Sequence, residues 1–235
     1  MHVYRVSFLF IVILNFPWVS FGQDSVLNYD LKKGEAFDIL MVTTKPNTKE
    51  TFKEYREKAF PVAVEMGYSF FPGLNVKETV QGKYEPKGLI FGKWTSLVMR
   101  EKFLDEIEGR VPNFHEMRKK IWSVFSVTYY EVQEDYSFQL DTNKVIVATA
   151  SWKKENSTSK FKGFIDRWKK ALQETGGTIK LELTQGKSPS GYEYNPDYMV
   201  ISQWDSQKDF EAFQTLNVAM DTDFLKHLNQ FVLGK

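Results

Sequence analysis

Two histidines lie beyond the apolar N-terminal stretch, His115 in NFHEMRKK and His227 in DFLKHLNQ. Imidazole titrates near neutral pH, so either could serve as general acid or base. Both are expected on the closing helix of a sequence half. Two tryptophans, Trp94 and Trp204, stand in matching contexts and could wall a pocket, as could Tyr84 and Tyr194. A tyrosine can also pass a proton through its hydroxyl or stack on a ring. Asp221, Asp223 and His227 have metal-ligating side chains, and residues 223 and 227 would share a helix face. No third ligand follows at a firm spacing, so no metal is expected. The sequence has no phosphate-cradling glycine loop, no G-x-S-x-G and no cysteine, which removes several nucleophile and nucleotide chemistries.

These residues recur on a repeat. The first copy reads Tyr84-x-Pro86, then Trp94-x-Ser96, then Phe103. The second reads Tyr194-x-Pro196, then Trp204-x-Ser206, then Phe213. Each pair is offset by the same interval. Gln81-Gly82-Lys83 also matches Gln185-Gly186-Lys187. Five identities at locked spacing indicate a tandem duplication. Each copy opens on a run of strand length, Phe37 to Thr43 and Lys144 to Ser151. Helices follow at 49–66 and 159–175, the second with an apolar face formed by Phe161, Phe164, Ile165, Trp168 and Leu172. Two strands come next in each copy, near 68–80 and 88–94, then near 178–184 and 198–204. Ser96 and Ser206 are placed to cap short helices. A final strand is expected at 127–132, and only 230–233 remains for its counterpart. The order β-α-β-β-α-β occurs twice, the split-βαβ ferredoxin-like unit. One sheet face of each unit is apolar, and the other copy is its natural cover. The expected fold class is α+β, two such repeats forming one barrel within the chain. The divisions are a leader at 1–22, a first repeat at 35–133, a linker at 134–143 and a second repeat at 144–235.

The run from Tyr55 through YREKAFPVAVEMGYSFFPGL to ETVQGKYEPKGLIFGKWTS resembles the dimeric α+β barrel superfamily. It most resembles a small branch near the antibiotic-biosynthesis monooxygenases, with Pro61 inside the helix before a glycine turn. The resemblance covers about Phe37 to the C-terminus. It implies an intramolecular pseudo-dimer where single-copy members pair as homodimers. Histidines near His115 and His227 resemble positions that bind haem or move protons in some members. Trp94 resembles a pocket tryptophan of haem-degrading members. Those enzymes also carry an asparagine on the first strand, where this chain has Thr43-Thr44 and Ala150-Ser151, so haem cleavage is not implied and no cofactor is expected.

Composition bounds the partners. Apolar residues make up 42% and charged residues 26%, ordinary for a globular chain, while aromatics reach 16% and point to a bulky core or a ring-lined pocket. The N-terminus has a short positive start ending at Arg5, an apolar run to Phe16, and small residues at Ser20 and Gly22. That is the layout of a cleaved secretory signal, and the run is too short to span a bilayer. Without 1–22 the chain has 30 basic and 30 acidic residues, because only Arg5 is removed. No basic excess exists to attract nucleic acid or a membrane surface. An exported chain without cysteine fits a bacterial periplasm or exterior. Two functional readings follow. One is an exported, cofactor-independent enzyme of oxygenase-, isomerase- or lyase-like type. It would act on a small organic or sugar-derived compound, with His115 and His227 as proton-transfer groups and Trp94, Trp204, Tyr84 and Tyr194 at the ligand. The other is a non-catalytic binding or scaffold protein of the envelope. In either case the expected partner is a small molecule and the expected assembly a monomer.

Overall fold

The computed structural model describes residues 25–235; the expected leader at 1–22 lies outside them. The first β-α-β-β-α-β unit consists of β2 (Ala36–Thr44), α1 (Lys49–Glu65), β3 (Tyr68–Gln81), β4 (Gly88–Trp94), α2 (Leu97–Arg110), a short α3 (Phe114–Ile121) and β5 (Trp122–Glu131). The second consists of β7 (Val145–Lys153), α4 (Thr158–Glu174), β8 (Thr178–Leu183), β9 (Tyr198–Trp204), α5 (Gln207–Val218) and β10 (Leu225–Gly234). Two further strands, β1 (Val26–Leu31) and β6 (Tyr136–Asp141), precede and separate the units.

The eight strands of the two units run β5-β2-β4-β3-β10-β7-β9-β8. Each half has its first strand between its third and fourth, the ferredoxin-like order. The halves join where β3 pairs with β10, from Asn75 opposite Gly234 to Gln81 opposite Gln230. The other seam is closed by the segment after β8. There Tyr129 and Lys187 exchange backbone bonds of 2.8 and 2.9 Å, and the Val127 amide donates to the Tyr192 carbonyl at 3.0 Å. Both seams therefore join a second-strand region of one unit to the fourth strand of the other. An isologous homodimer would use the same self-complementary contact.

The apolar sheet faces meet inside. Phe37, Ile39, Leu89 and Phe91 of the first unit form one buried cluster with Ile146, Ala148, Met199, Ile201 and Phe231 of the second. The stretch expected as a linker carries β6, which pairs antiparallel with β1. Leu27, Tyr29, Leu31, Phe138 and Leu140 on that ribbon belong to the same cluster. Tyr29 stacks on Phe138 with centroids 4.5 Å apart and meets Phe91 edge-on at 5.7 Å. The centre of the barrel is thus a packed aromatic core rather than a ligand chamber. Buried and exposed residues alternate along β1 in VLNYDL, but a run of six residues with three buried positions gives a weak strand signal.

The caps follow expectation. Ser96 accepts the Met99 amide and Ser206 the Asp209 amide, both at 3.2 Å. The C-terminus does not: His227 lies on β10, not on a helix. Leu225 to Leu233 pairs with β7, and that ladder outweighs the local helical pattern. Asp223 and His227 therefore share no helix face.

Candidate functional site

The two units differ in the layer between sheet and helices. β2 and β7 have nine residues each and α1 and α4 seventeen each, so they superpose position by position. In the second unit this layer is solid. Trp168, Leu172, Val147, Trp204, Phe210 and Phe213 pack into one cluster, every one of them buried. At the matching places the first unit has Ala59, Ala63, Asp38, Trp94, Arg100 and Phe103. Small residues replace Trp168 and Leu172, and an ion pair replaces Val147 and Phe210. The result is a cavity of about 150 Å³, bounded by α1, α2, α3 and strands β2 to β5.

Its polar wall carries two hydrogen-bonded groups, one centred on Asp38 and one on Arg118. Arg100 donates from Nε to both Asp38 carboxylate oxygens, at 2.9 and 2.8 Å. The Trp94 indole N–H donates to Asp38 Oδ2 at 3.1 Å. Asp38 and Arg100 are only 3% and 2% exposed. Burial pushes the Asp38 carboxyl above its ordinary value, against the pull of the Arg100 charge and the bonds from Arg100 and Trp94. Arg118 enters from α3, also buried, and donates from Nε to the Tyr55 hydroxyl at 3.0 Å. Its guanidinium carbon lies 4.0 Å from the Phe114 ring centre and 4.5 Å from that of Phe125, a cation–π sandwich. Neither Arg100 Nη1 nor Arg118 Nη1 has a hydrogen-bond partner among the described residues. Tyr68 completes the wall, its ring lying over Gly92; any Cβ there would overlap that ring. The outer part is apolar. Phe52 and Phe70 are 40% and 55% exposed, and Phe70 stacks on Phe60 at 4.4 Å.

The expected site residues fall in three places. Trp94 lines this cavity. Trp204 does not line an open space, because Trp168 and Leu172 occupy the room its counterpart leaves; its N–H donates to Thr175 Oγ1 at 3.4 Å. His115 stands beside the cavity in an open cleft that shares Arg118, Trp122 and Phe125 with it. Its Nδ1 lies 2.6 Å from the Tyr192 hydroxyl, which comes from the other unit. His227, Tyr84 and Tyr194 meet instead in a surface depression at the β3–β10 seam. There Tyr84 and Tyr194 approach to 5.0 Å, Tyr84 bonds Ser126 at 2.7 Å, and Asn229 donates to Tyr194 at 3.0 Å. The two histidines therefore do not share a site. The first-unit cavity is too small for a tetrapyrrole, so its lining does not fit a haem.

Sequence reasoning missed Asp38, Arg100, Arg118 and Tyr55. Part of the signal lay in the repeat: at its own interval Arg100 faces Phe210, whereas Asp38 meets Val147 only once β2 and β7 are aligned from their first residues, one position off that interval.

Partial burial, and next the Arg118 charge, hold the His115 imidazole below its ordinary value of 6.5. A depressed value in a base means that its stability contribution is whole above 6.5 and is lost as pH falls through the folded value. A proton NMR titration should place the His115 midpoint below 6.5, and Arg118→Met should raise it. A midpoint at or above 6.5 in the parent would contradict this placement.

No family model and no curated protein matches the chain. Solved structures do. An anthrone oxidase-like protein aligns with a TM-score of 0.50 and 15% identity, over 88% of this chain and 94% of that one. A mutant chlorite dismutase from Candidatus Nitrospira defluvii aligns with a TM-score of 0.50 and 6% identity, over 87% of this chain and 92% of that one. The fold is a dimeric α+β barrel. The same dismutase in complex with imidazole gives a TM-score of 0.50 at 7% identity, covering 87% of this chain and 93% of the other. Identities this low carry the architecture and not the chemistry.

Proposed function

We propose that the first-unit cavity is the working site of a small-molecule enzyme that uses no bound cofactor. The observation that carries this reading is the contrast between the units. A buried ion pair is weak support for a fold, since apolar residues of similar size often serve as well or better. The second unit has that apolar solution at Val147 and Phe210, so the polar residues in the first are retained for something other than packing. The anthrone oxidase-like neighbour gives the barrel a precedent for chemistry on small molecules. A space of about 150 Å³ admits one aromatic ring. Trp94 and the phenylalanines would clamp that ring. The Tyr55 hydroxyl, its oxygen held by Arg118, can pass its proton to the ligand. His115 with Tyr192 lies on the far side of Arg118 and can relay protons to solvent. Export past a cleaved 1–22 leader and a monomeric pseudo-dimer belong to the same proposal.

The test transplants the second unit's solution. Ala59→Trp, with Ala59→Leu as the milder change, should fill the cavity, keep the circular dichroism spectrum, and abolish the hits of a one-ring aromatic library seen by ligand-observed NMR. Undiminished binding in a folded filled variant would reject the site. A second reading, a non-catalytic binding protein, rests on the walls carrying no Ser, Thr or Cys nucleophile. A hit recovered unchanged after long incubation would favour it.

A further inference from the structure

The cavity's charge balance identifies its ligand class, given the reading above that it is a binding site. Among its lining residues Asp38 is the sole acid, against Arg56, Arg100 and Arg118. Arg56 is exposed and screened by solvent. The Arg100 charge is paired by Asp38 through Nε. Arg118 is different: it is 6% exposed, and no carboxylate lies within ion-pair distance of it among the described residues. Its neighbours are the Tyr55 oxygen and the rings of Phe114, Phe125 and Tyr192, with the Asp38 charge farther off and already paired to Arg100. Aromatic faces offset only part of the cost of removing a guanidinium from water. A charge buried on those terms is retained where a counter-ion arrives from outside. The two donors without partners, Arg118 Nη1 and Arg100 Nη1, belong to two side chains that line the same cavity. A planar guanidinium fits a carboxylate better than any other small anion of the cell except phosphate. Phosphate esters carry two charges and a bulky tetrahedral head, poorly suited to a flat apolar slot of this volume.

We infer that the cavity takes a one-ring aromatic monocarboxylate, its ring between Trp94 and the Phe52–Phe60–Phe70 lip and its carboxylate on the guanidinium groups of Arg118 and Arg100.

Isothermal titration with benzoate, benzamide and acetate separates the elements of this inference. Benzoate should bind at least tenfold more tightly than benzamide, which keeps the ring and loses the charge. It should also bind at least tenfold more tightly than acetate, which keeps the charge and loses the ring. Arg118→Met should remove the benzoate preference, with benzamide affinity falling much less than benzoate affinity. Arg118→Lys should restore part of the preference, since it restores charge without the fork. Should Arg118→Met fail to fold, the parent's benzoate-to-benzamide ratio still decides. Benzamide binding as tightly as benzoate, with both lost in Ala59→Trp, would overturn the carboxylate inference and leave the cavity as the site. Binding of none of the three, or benzoate binding that survives Ala59→Trp, would overturn both.

Discussion

Asp38→Val alone should destabilise the protein by about 3–5 kcal/mol, and Asp38→Val with Arg100→Phe should recover all of that loss. The single change removes the only carboxylate bonded to a guanidinium that is 2% exposed, and it also takes the acceptor from the Trp94 indole. The Arg100 charge cannot reach water without unpacking α2, so the penalty of an unpaired buried ion is felt in full. The double change installs the pair found at Val147 and Phe210, where both side chains are buried in a close-packed cluster. Replacing a buried ion pair by apolar side chains of similar volume is commonly neutral or stabilising by about 1–4 kcal/mol. Urea unfolding of the three proteins measures the cycle. The double variant should unfold at or above the parent's midpoint and should have lost benzoate binding. That combination, stability kept and binding gone, is the signature of residues held for function. A double variant as unstable as the single would show that the ion pair is structural and that the comparison between units is misleading.

Separating the units between Asp141 and Lys144 should yield two fragments that do not fold alone. Each fragment would expose the inward sheet face that now packs in the shared cluster, Phe37, Ile39 and Phe91 on one side and Ile146, Met199 and Phe231 on the other. Each would also open a strand edge, β3 in the first and β10 in the second, where backbone groups now pair across the seam. Exposed apolar faces and unpaired edges drive association. The expected result is insoluble or self-associated fragments that form a soluble one-to-one complex when refolded together, read by size-exclusion chromatography with light scattering. Two stable monomers would show two independent domains on a string.

The architecture was legible in the sequence because it is written twice. Tyr84, Trp94, Ser96 and Phe103 repeat as Tyr194, Trp204, Ser206 and Phe213, and both serines cap helices as their spacing implied. The ends were harder. β10 has a helical-looking segment around His227 that long-range pairing with β7 and β3 converts to strand. The β1–β6 ribbon joins segments more than a hundred residues apart, and no local pattern reports such pairing. The site was partly legible. Trp94 was found because aromatic residues attract notice in a repeat. Asp38 sits in the apolar run FDILMVT, an acid where the period calls for a buried side chain. Arg100 faces a phenylalanine in the other copy. Differences between copies hold that information, whereas a search for identities passes over them. Arg118 had no counterpart to compare, since α3 has none in the second unit.

The most direct measurement is the structure of the protein crystallised with benzoate. The account predicts one molecule per chain, its ring beside Trp94 under α1 and its carboxylate within hydrogen-bond distance of Arg118 Nη1, with the second unit's layer unchanged around Trp168. Benzoate ordered in the Tyr84–Tyr194–His227 depression while the first-unit cavity holds none would contradict it.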